Sequence, residues 1–566
     1  MDPFTHAVPL DRANPVDTPF PILTAAQLAR VRAHGTPQSF GVAEVIVPEG
    51  QAPARCLVVT SGRIEVVQPA GAAPPVLIAR LGPGQFTGET TLLSGRRALV
   101  QIQGAEPGEV FSLTRDQLLA LVQTDAELSD VFMRAFLLRR VELIAYGLGD
   151  AVLIGSGRSA DTLRLQEFLG RNGHPYAHID VDQTSEVQEL LDRFKVNSHD
   201  VPVLICRGTT VFRNPSNEEV ATCLGFNDEI DIDRLRDLVV VGAGPAGLAA
   251  AVYAASEGLD VLVVESFAAG GQAGSSSKIE NYLGFPAGIS GQDLAERAYS
   301  QVQKFGGEIL IAEKGVRLDC NVLPYALGLA DGRRVQARTL VIATGASYRR
   351  LGLENLARFE GAGIYYAATA IEARACRGED AVVVGGGNSA GQAAVFLAPL
   401  VRRLYVLVRS DPAQTMSRYL LRRIEQSPNT VLLTQTEVVK LEGSEHLERI
   451  SWRNRDTGVT EVNDVRHLFS MTGAVPATDW VGSCVTRDAK GFIKTGPDLS
   501  EAELRASAWP LTRPPHLLET SMPGVFAVGD VRSGSLKRVA AAVGEGSAAI
   551  ALVHRALDKR EGVPNA

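Results

Sequence analysis

Apolar residues in this chain follow several spacings, and each spacing predicts a different kind of element. Four of them, Leu238-Val-Val-Val241, run without interruption into Gly242-Ala-Gly244-Pro245-Ala246-Gly247. An alanine-rich helical pattern follows over 248–256, and a second apolar run, Asp260-Val-Leu-Val-Val-Glu265, closes on an acid. Unbroken apolar runs flanked by glycine read as strands buried on both faces. The stretch therefore predicts strand, tight turn, helix and parallel strand. Asp380-Ala-Val-Val-Val-Gly385-Gly-Gly387-Asn388-Ser389-Ala390 repeats the pattern, with Leu404-Tyr-Val-Leu-Val408 as its second strand.

Upstream the spacing changes. Residues 1–20 are Pro-rich and read as a loose arm. One short amphipathic helix begins at Thr24, and short β-like runs separated by Gly and Pro follow at 42–47, 54–59, 62–67 and 75–78. Regular short strands with turn signals predict a small β-barrel or jelly roll. After a further run at 108–113 the period becomes helical from Thr114 to about Tyr146, with Leu118, Leu121, Val122, Phe132, Phe136 and Leu143 on its apolar face. A third regime alternates strand (150–154), helix (162–170), strand (176–180), helix (187–194) and apolar run (201–206), and a charged linker at 228–237 ends it.

The glycines of the first unit carry chemistry. Gly242 makes a tight turn, Gly244 lets backbone approach a pyrophosphate, and Gly247 lets the helix pack on the strand. Free N–H groups at the helix start, around Pro245 and Ala246, suit a phosphate. Glu265 at the end of the second strand is placed to accept from ribose hydroxyls. The unit predicts an adenine dinucleotide site. In the second unit Gly385, Gly387 and Ala390 take the glycine roles, with Asn388 and Ser389 opening the helix. Its second strand ends without an acid and continues Arg409-Ser410-Asp411. An arginine and no carboxylate at the ribose-reading position favour a 2′-phosphate, hence NADPH.

Composition narrows the picture further. A chain of 566 residues suggests three or four domains, and net charge −8 without long basic runs argues against nucleic acid. The six cysteines (56, 206, 223, 320, 376, 484) never fall at CxxC or zinc-ligand spacing, so neither a disulfide framework nor a metal site is expected. Cys206 and Cys223 read as buried structural residues. The first residues lack a basic stretch followed by an apolar one, so no signal peptide is expected. No membrane span is predicted either, and a cytoplasmic protein in a reducing compartment is the expectation.

Three resemblances add to this reading. Helix, β-roll and long helices resemble the cyclic-nucleotide-binding regulatory domain, and Phe86-Thr-Gly-Glu-Thr-Thr-Leu-Leu-Ser-Gly-Arg-Arg-Ala98 is similar to its phosphate cassette. The resemblance implies Gly88 and Arg97 at the cyclic phosphate and Glu89 at the ribose. The loop before the arginine is shorter than usual, and Arg96 adjoins Arg97. A docking or dimer module without nucleotide stays open beside it. The third regime resembles the thioredoxin/glutaredoxin order, with Val201-Pro202 where that family places a cis-proline. Gly155-Ser-Gly-Arg-Ser159 stands at its CxxC position, so thiolate chemistry is absent there.

The segment Gly270-Gly271-Gln272-Ala-Gly-Ser-Ser-Ser-Lys-Ile-Glu-Asn281-Tyr-Leu-Gly-Phe-Pro286 closely resembles the low-molecular-weight thioredoxin reductases. So do the strand-turn ending Ala343-Thr344-Gly345, the segment Gly524-Val-Phe-Ala-Val-Gly529-Asp530 and the helix start Lys537-Arg538-Val539. The resemblance spans about 236–557 and implies FAD, held by Gly271, Gln272, Asn281, Asp530 and their neighbours. It also implies a homodimer. Where those enzymes carry a C-A-T-C dithiol, this chain reads Ala367-Ala-Thr-Ala370, and Ser410 replaces the second of two NADPH-reading arginines. Cys376 is the nearest thiol and the one candidate for a catalytic cysteine. Residues 499–516 form an insertion expected to be a surface loop that covers the flavin or touches the N-terminal units.

The expected fold is therefore multidomain: an N-terminal β-roll with helices, a thioredoxin-like α/β domain, and two Rossmann-like three-layer dinucleotide-binding domains. The boundaries read as 1–147, 148–228, 236–350 with 469–566 for FAD, and 351–468 for NADPH. The expected activity is hydride transfer from NADPH to FAD and on to a small-molecule or redox-protein acceptor. Disulfide reduction through Cys376 and a cyclic-nucleotide-regulated redox sensor are the alternatives.

Overall fold

The computed structural model describes residues 18–558 except 52–53, 71–72, 89–90, 95–97, 99, 146–150, 158, 183–201, 207–209, 228–229, 277, 321–322 and 445. The unbroken apolar runs form the centres of two parallel sheets. In the first, Glu308–Ile311, Val261–Glu265, Arg236–Val241 and Arg334–Ile342 lie side by side in that order, all parallel. Val525–Ala527 joins Arg334–Ile342 in parallel, and Tyr325–Leu329 with Gly315–Asp319 extends the sheet antiparallel. The central strand feeds two cores at once. Leu238 and Val240 pack with helices Pro245–Ser256 and Val539–Asp558, while Val239 and Val241 pack with the antiparallel layer. Burial on both faces explains why this run lacks alternation.

The second parallel sheet runs Ile364–Tyr365, His467–Ser470, Asp380–Val384, Arg403–Val408, Thr430–Thr434. A three-stranded antiparallel meander, Thr436–Gly443, Leu447–Asn454 and Thr460–Asn463, accompanies it. Between the two sheets the chain crosses twice, and the crossings pair as a small antiparallel ribbon, Ala346–Tyr348 with Ala474–Pro476.

Two further units precede these. The N-terminal unit is an antiparallel sheet of Thr36–Phe40, Gln101–Leu113, Cys56–Ala70 and Ala73–Leu81, with Val45–Val47 also on Gln101–Leu113. Phe86, Phe132 and Phe136 close its core in an aromatic cluster, Phe86 stacking on Phe132 at 4.1 Å between centroids. The middle unit has four strands in the order Tyr176–Asp180, Ala151–Gly155, Val203–Cys206, Thr210–Arg213, the first pair parallel and the others antiparallel. Helix Ala160–Arg171 follows its first strand.

Several expectations change here. The runs 54–59 and 62–67 belong to one strand, Cys56–Ala70. Gly62, at φ +73°, and the register shifts around Ser61 and Arg63 bend that strand without ending it. The single helical stretch from Thr114 becomes two helices, Arg115–Thr124 and Ala126–Ala145. Asp125 is extended between them, its carboxylate accepting from Leu128 N at 3.0 Å and pairing with Arg30 at 2.6 Å. The expected lack of disulfides is corrected as well: Cys206 bonds Cys223, and Cys320 bonds Cys484. These partners lie 17 and 164 residues apart, so tertiary folding brings them together and local spacing carries no trace of it.

The 499–516 insertion is not a plain loop. It contains helix Glu501–Ala506 under a Ser500–Glu503 capping box, tied down by Lys494–Glu503 and by Arg513 on fully buried Glu519. None of its residues borders the cleft described below. The 187–194 helix and the Val201–Pro202 peptide bond lie outside the described residues. Among the described residues no helix is long and apolar enough to cross a membrane.

Arg236, at the start of the central strand, is 1 % exposed and spans Asp260 at 3.0 Å, Glu308 at 2.7 Å and Asp231 O at 2.6 Å. Removing one member of a buried ion network leaves the rest uncompensated. Arg236→Met is expected to cost about 3 kcal/mol, read as a lowered urea midpoint followed by circular dichroism.

Candidate functional site

A cavity of about 1500 Å³ runs between the two parallel-sheet modules. Its floor is the turn after the central strand. Gly242 has φ +103°, and a Cβ there would lie 2.5 Å from Ala343 O. The glycine thus lets the strand end meet the Ala343-Thr344-Gly345 turn, all three residues of which border the cavity. At Gly247 a Cβ would lie 1.8 Å from Gly242 O, so helix Pro245–Ser256 starts directly on the turn. Gly244 is its N-cap and Pro245 takes the first helical position, where an N–H would have no partner in the helix. Gly244, Pro245 and Ala246 face the cavity, while Gly247 lies behind them in the helix–strand contact.

Glu265 borders the same space, 8 % exposed. Its carboxylate accepts from Ala243 N at 2.7 Å and Phe267 N at 2.9 Å. Burial pushes this carboxyl above its usual range, opposed by those two hydrogen bonds and by nearby Arg171. Gly271, Gln272 and Asn281 form the adjoining wall, and the Gln272 side-chain amide donates to Ala346 O at the start of the inter-module ribbon. Opposite stand Gly529, Asp530, Lys537, Arg538 and Val539, the last opening helix Val539–Asp558. Burial also raises the Asp530 carboxyl, against the charge of Lys537.

The second module turns its helix start toward the same cavity. Asn388 and Ser389 border it, and Asn388 Oδ1 accepts from Ser417 N at 2.7 Å. Gly385, Gly387 and Ala390 shape the turn behind them without bordering it. Arg409 is exposed outside the cavity, its carbonyl accepting from Arg455 at 3.4 Å. Tyr366 and Ala367 reach the cavity, and Ala370 begins helix Ala370–Ala375.

Cys376 does not reach it. It is 0 % exposed in the core of the second module, its Sγ donating to Ala373 O at 3.6 Å. Burial pushes its thiol up to about 12, which keeps it protonated and unreactive at neutral pH. As a candidate catalytic cysteine, Cys376 is thus corrected to a core residue. Of the N-terminal candidates, Gly88 has φ +107° and its carbonyl accepts from Arg139 at 2.8 Å; Glu89 and Arg97 lie outside the described residues.

Two contributors escape the motif reading. Glu545 holds the Gly529 turn, accepting from Gly529 N at 2.7 Å and pairing with Arg532 at 2.7 Å. An acid among the alanines and glycines of the 539–558 pattern, whose other acid is its last residue Asp558, was the only signal for it. The middle unit supplies the other: Ala160, Leu163, Arg164, Glu167 and Arg171, on one face of helix Ala160–Arg171, border the cavity. Nothing in their spacing distinguishes them from an ordinary amphipathic helix. Among the described residues no cluster of His, Cys, Asp or Glu could hold a metal ion.

Residues 236–546 match the pyridine nucleotide-disulphide oxidoreductase family, and residues 37–125 match the cyclic nucleotide-binding domain. The mitochondrial thioredoxin reductase 2 of Saccharomyces cerevisiae is 32% identical over 334 residues, 57% of this chain and 92% of its own. The thioredoxin reductase of Schizosaccharomyces pombe is 33% identical over 335 residues, covering 57% and 98%. Among solved structures, T. acidophilum thioredoxin reductase aligns at TM-score 0.51 and 27% identity, over 57% of this chain and all of that one. FAD and NADPH are the cofactors of these relatives' family.

The Gly247 contact leaves no room for a methyl group. Gly247→Ala is expected to purify with less than about a tenth of the wild-type flavin, measured as flavin absorbance per protein, because the turn under the cofactor must shift.

Proposed function

Because the chain belongs to the pyridine nucleotide-disulphide oxidoreductase family, we propose that it is an FAD-dependent NADPH oxidoreductase whose electrons leave the flavin for an acceptor outside the chain's own thiols. One observation carries this reading: among the described residues no cysteine borders the cavity. Four of the six cysteines are paired in disulfides, and Cys56 and Cys376 are buried. Alanine at 367 and 370 can neither attack a disulfide nor hold reducing equivalents.

Bound FAD supplies two-electron uptake from a nicotinamide and release to an acceptor. The chain's share is placement. The N–H groups that open helix Pro245–Ser256, from Ala246 onward, would hold the pyrophosphate, and Glu265 would accept from ribose hydroxyls. Asp530 would accept from the cofactor's hydroxyls, with the charge of Lys537 nearby. In the second module the helix start at Asn388 and Ser389 would hold the NADPH pyrophosphate, and Arg409, exposed beyond the cavity, would supply the counter-charge for its 2′-phosphate. Ile364, Tyr365, Val264 and Val528 add apolar surface to the cavity lining.

The redox reading is tested by adding NADPH anaerobically and following the flavin band. Full bleaching, slower with NADH, is expected, followed by reoxidation in a screen of quinone, metal-complex and redox-protein acceptors. Cys376→Ser is expected to turn over with the preferred acceptor at the wild-type rate; loss of more than about tenfold would return the thiol to the mechanism.

A second reading concerns the N-terminal unit, whose match to cyclic nucleotide-binding domains favours ligand reading there. Calorimetric titration with cyclic AMP and cyclic GMP is expected to give saturable heat with one of them. Silence with both removes the regulatory role.

A further inference from the structure

Arginine 171 stands at the C-terminal end of helix Ala160–Arg171, in a unit with no part in either dinucleotide fold. Yet its guanidinium reaches the flavin-side wall of the cavity. Nη2 donates to Gly271 O at 2.6 Å, and the group stacks 5.4 Å from the centre of the Phe267 ring. It also lies within 4 Å of where a Cβ on Gly274 would sit. On its own helix Glu167 pairs with Nη1 at 3.4 Å, and its Nε is buried without a partner among the described residues. The side chain is 15% exposed. The desolvation of a guanidinium this deep is offset by the Glu167 ion pair, the Gly271 carbonyl, the Phe267 ring and the nearby Glu265 carboxylate, three of which belong to the cofactor wall.

The next residue adds to the grip. Asn172 Nδ2 donates to Phe267 O at 3.2 Å, and in return Gln292 of the first module donates to Gly170 O at 2.8 Å. Phe267 N is one of the two donors to Glu265, and Gly271 precedes Gln272. Arg171 and Asn172 thus hold, from outside, the two short segments that flank the acid and amide of the cofactor wall.

We propose that Arg171 is a positioning residue of the flavin site, so that the middle unit is a structural part of FAD binding rather than an appended domain. The proposal rests on the cavity being the FAD site. Free of Arg171, the Phe267 and Gly271 segments lose their outside restraint, and the wall must be ordered by the cofactor itself, which lowers its affinity.

The test is titration of flavin-stripped full-length protein with FAD, followed by quenching of flavin fluorescence, alongside thermal unfolding of the stripped protein. Arg171→Ala is expected to raise the FAD dissociation constant about tenfold or more while the stripped protein unfolds near the wild-type temperature. Arg171→Lys, which keeps the charge but not the planar fork, is expected to recover part of the affinity. Wild-type affinity in folded Arg171→Ala overturns the proposal. Should that variant not fold, Arg171→Gln is titrated instead, and wild-type affinity there overturns it equally. A wild-type protein that takes up no FAD would overturn the reading of the cavity itself, a separate outcome.

Discussion

The first parallel-sheet module depends on a contact between pieces of bare backbone. Gly247 lies against the carbonyl of Gly242, and Gly242 against that of Ala343, at separations that admit a hydrogen on Cα and nothing larger. This closeness seats the helix start at the end of the central strand. It aims the helix N–H groups into the cavity and brings Glu265 within reach of the turn's own amides. Side chains elsewhere in the module can change at the cost of a cavity or a hydrogen bond. A side chain here moves the platform on which the cofactor is expected to rest.

Much of this was legible in the chain, for a physical reason. An unbroken valine run is intelligible only as a strand covered on both faces, and Leu238 to Val241 do alternate between two cores. The glycine spacing, the closing Glu265, Gln272 and Asp530 are local facts, and the cavity gathers them. Alanine at 367 and 370, framed by a glycine and by the central Ala-Thr, is equally a local fact of the chain.

Long-range facts were not legible. Cys206–Cys223 and Cys320–Cys484 join residues whose separations mean nothing until the sheets are built. The break at Asp125 hides inside a helical period, since the carboxylate that caps the second helix is also tolerated within a helix. Cys376 shows the limit from the other side. Its position beside the Ala367–Ala370 segment suggested chemistry, and only its burial in the second module's core, which pushes the thiol up to about 12, argues against it. Arg171 lies 65 residues before Arg236, where the first module's central strand begins, and no motif in that module announces a residue from outside it.

The Ala346–Tyr348 and Ala474–Pro476 ribbon has a mechanical meaning. The two crossing strands make a slender connection between the modules, of the kind about which hinged domains turn, and the Arg423–Glu280 pair at 2.7 Å also joins the two. Helix Ala160–Arg171 lies across that swing. Leu163 packs against the core of the second module and Ala160 touches Gly361, while the other end of the helix is tied to Gly271. Leu163 is thus an apolar contact between the middle unit and the second module that any relative rotation of the two would have to break. The middle unit therefore braces the two modules against each other on one side of that slender connection.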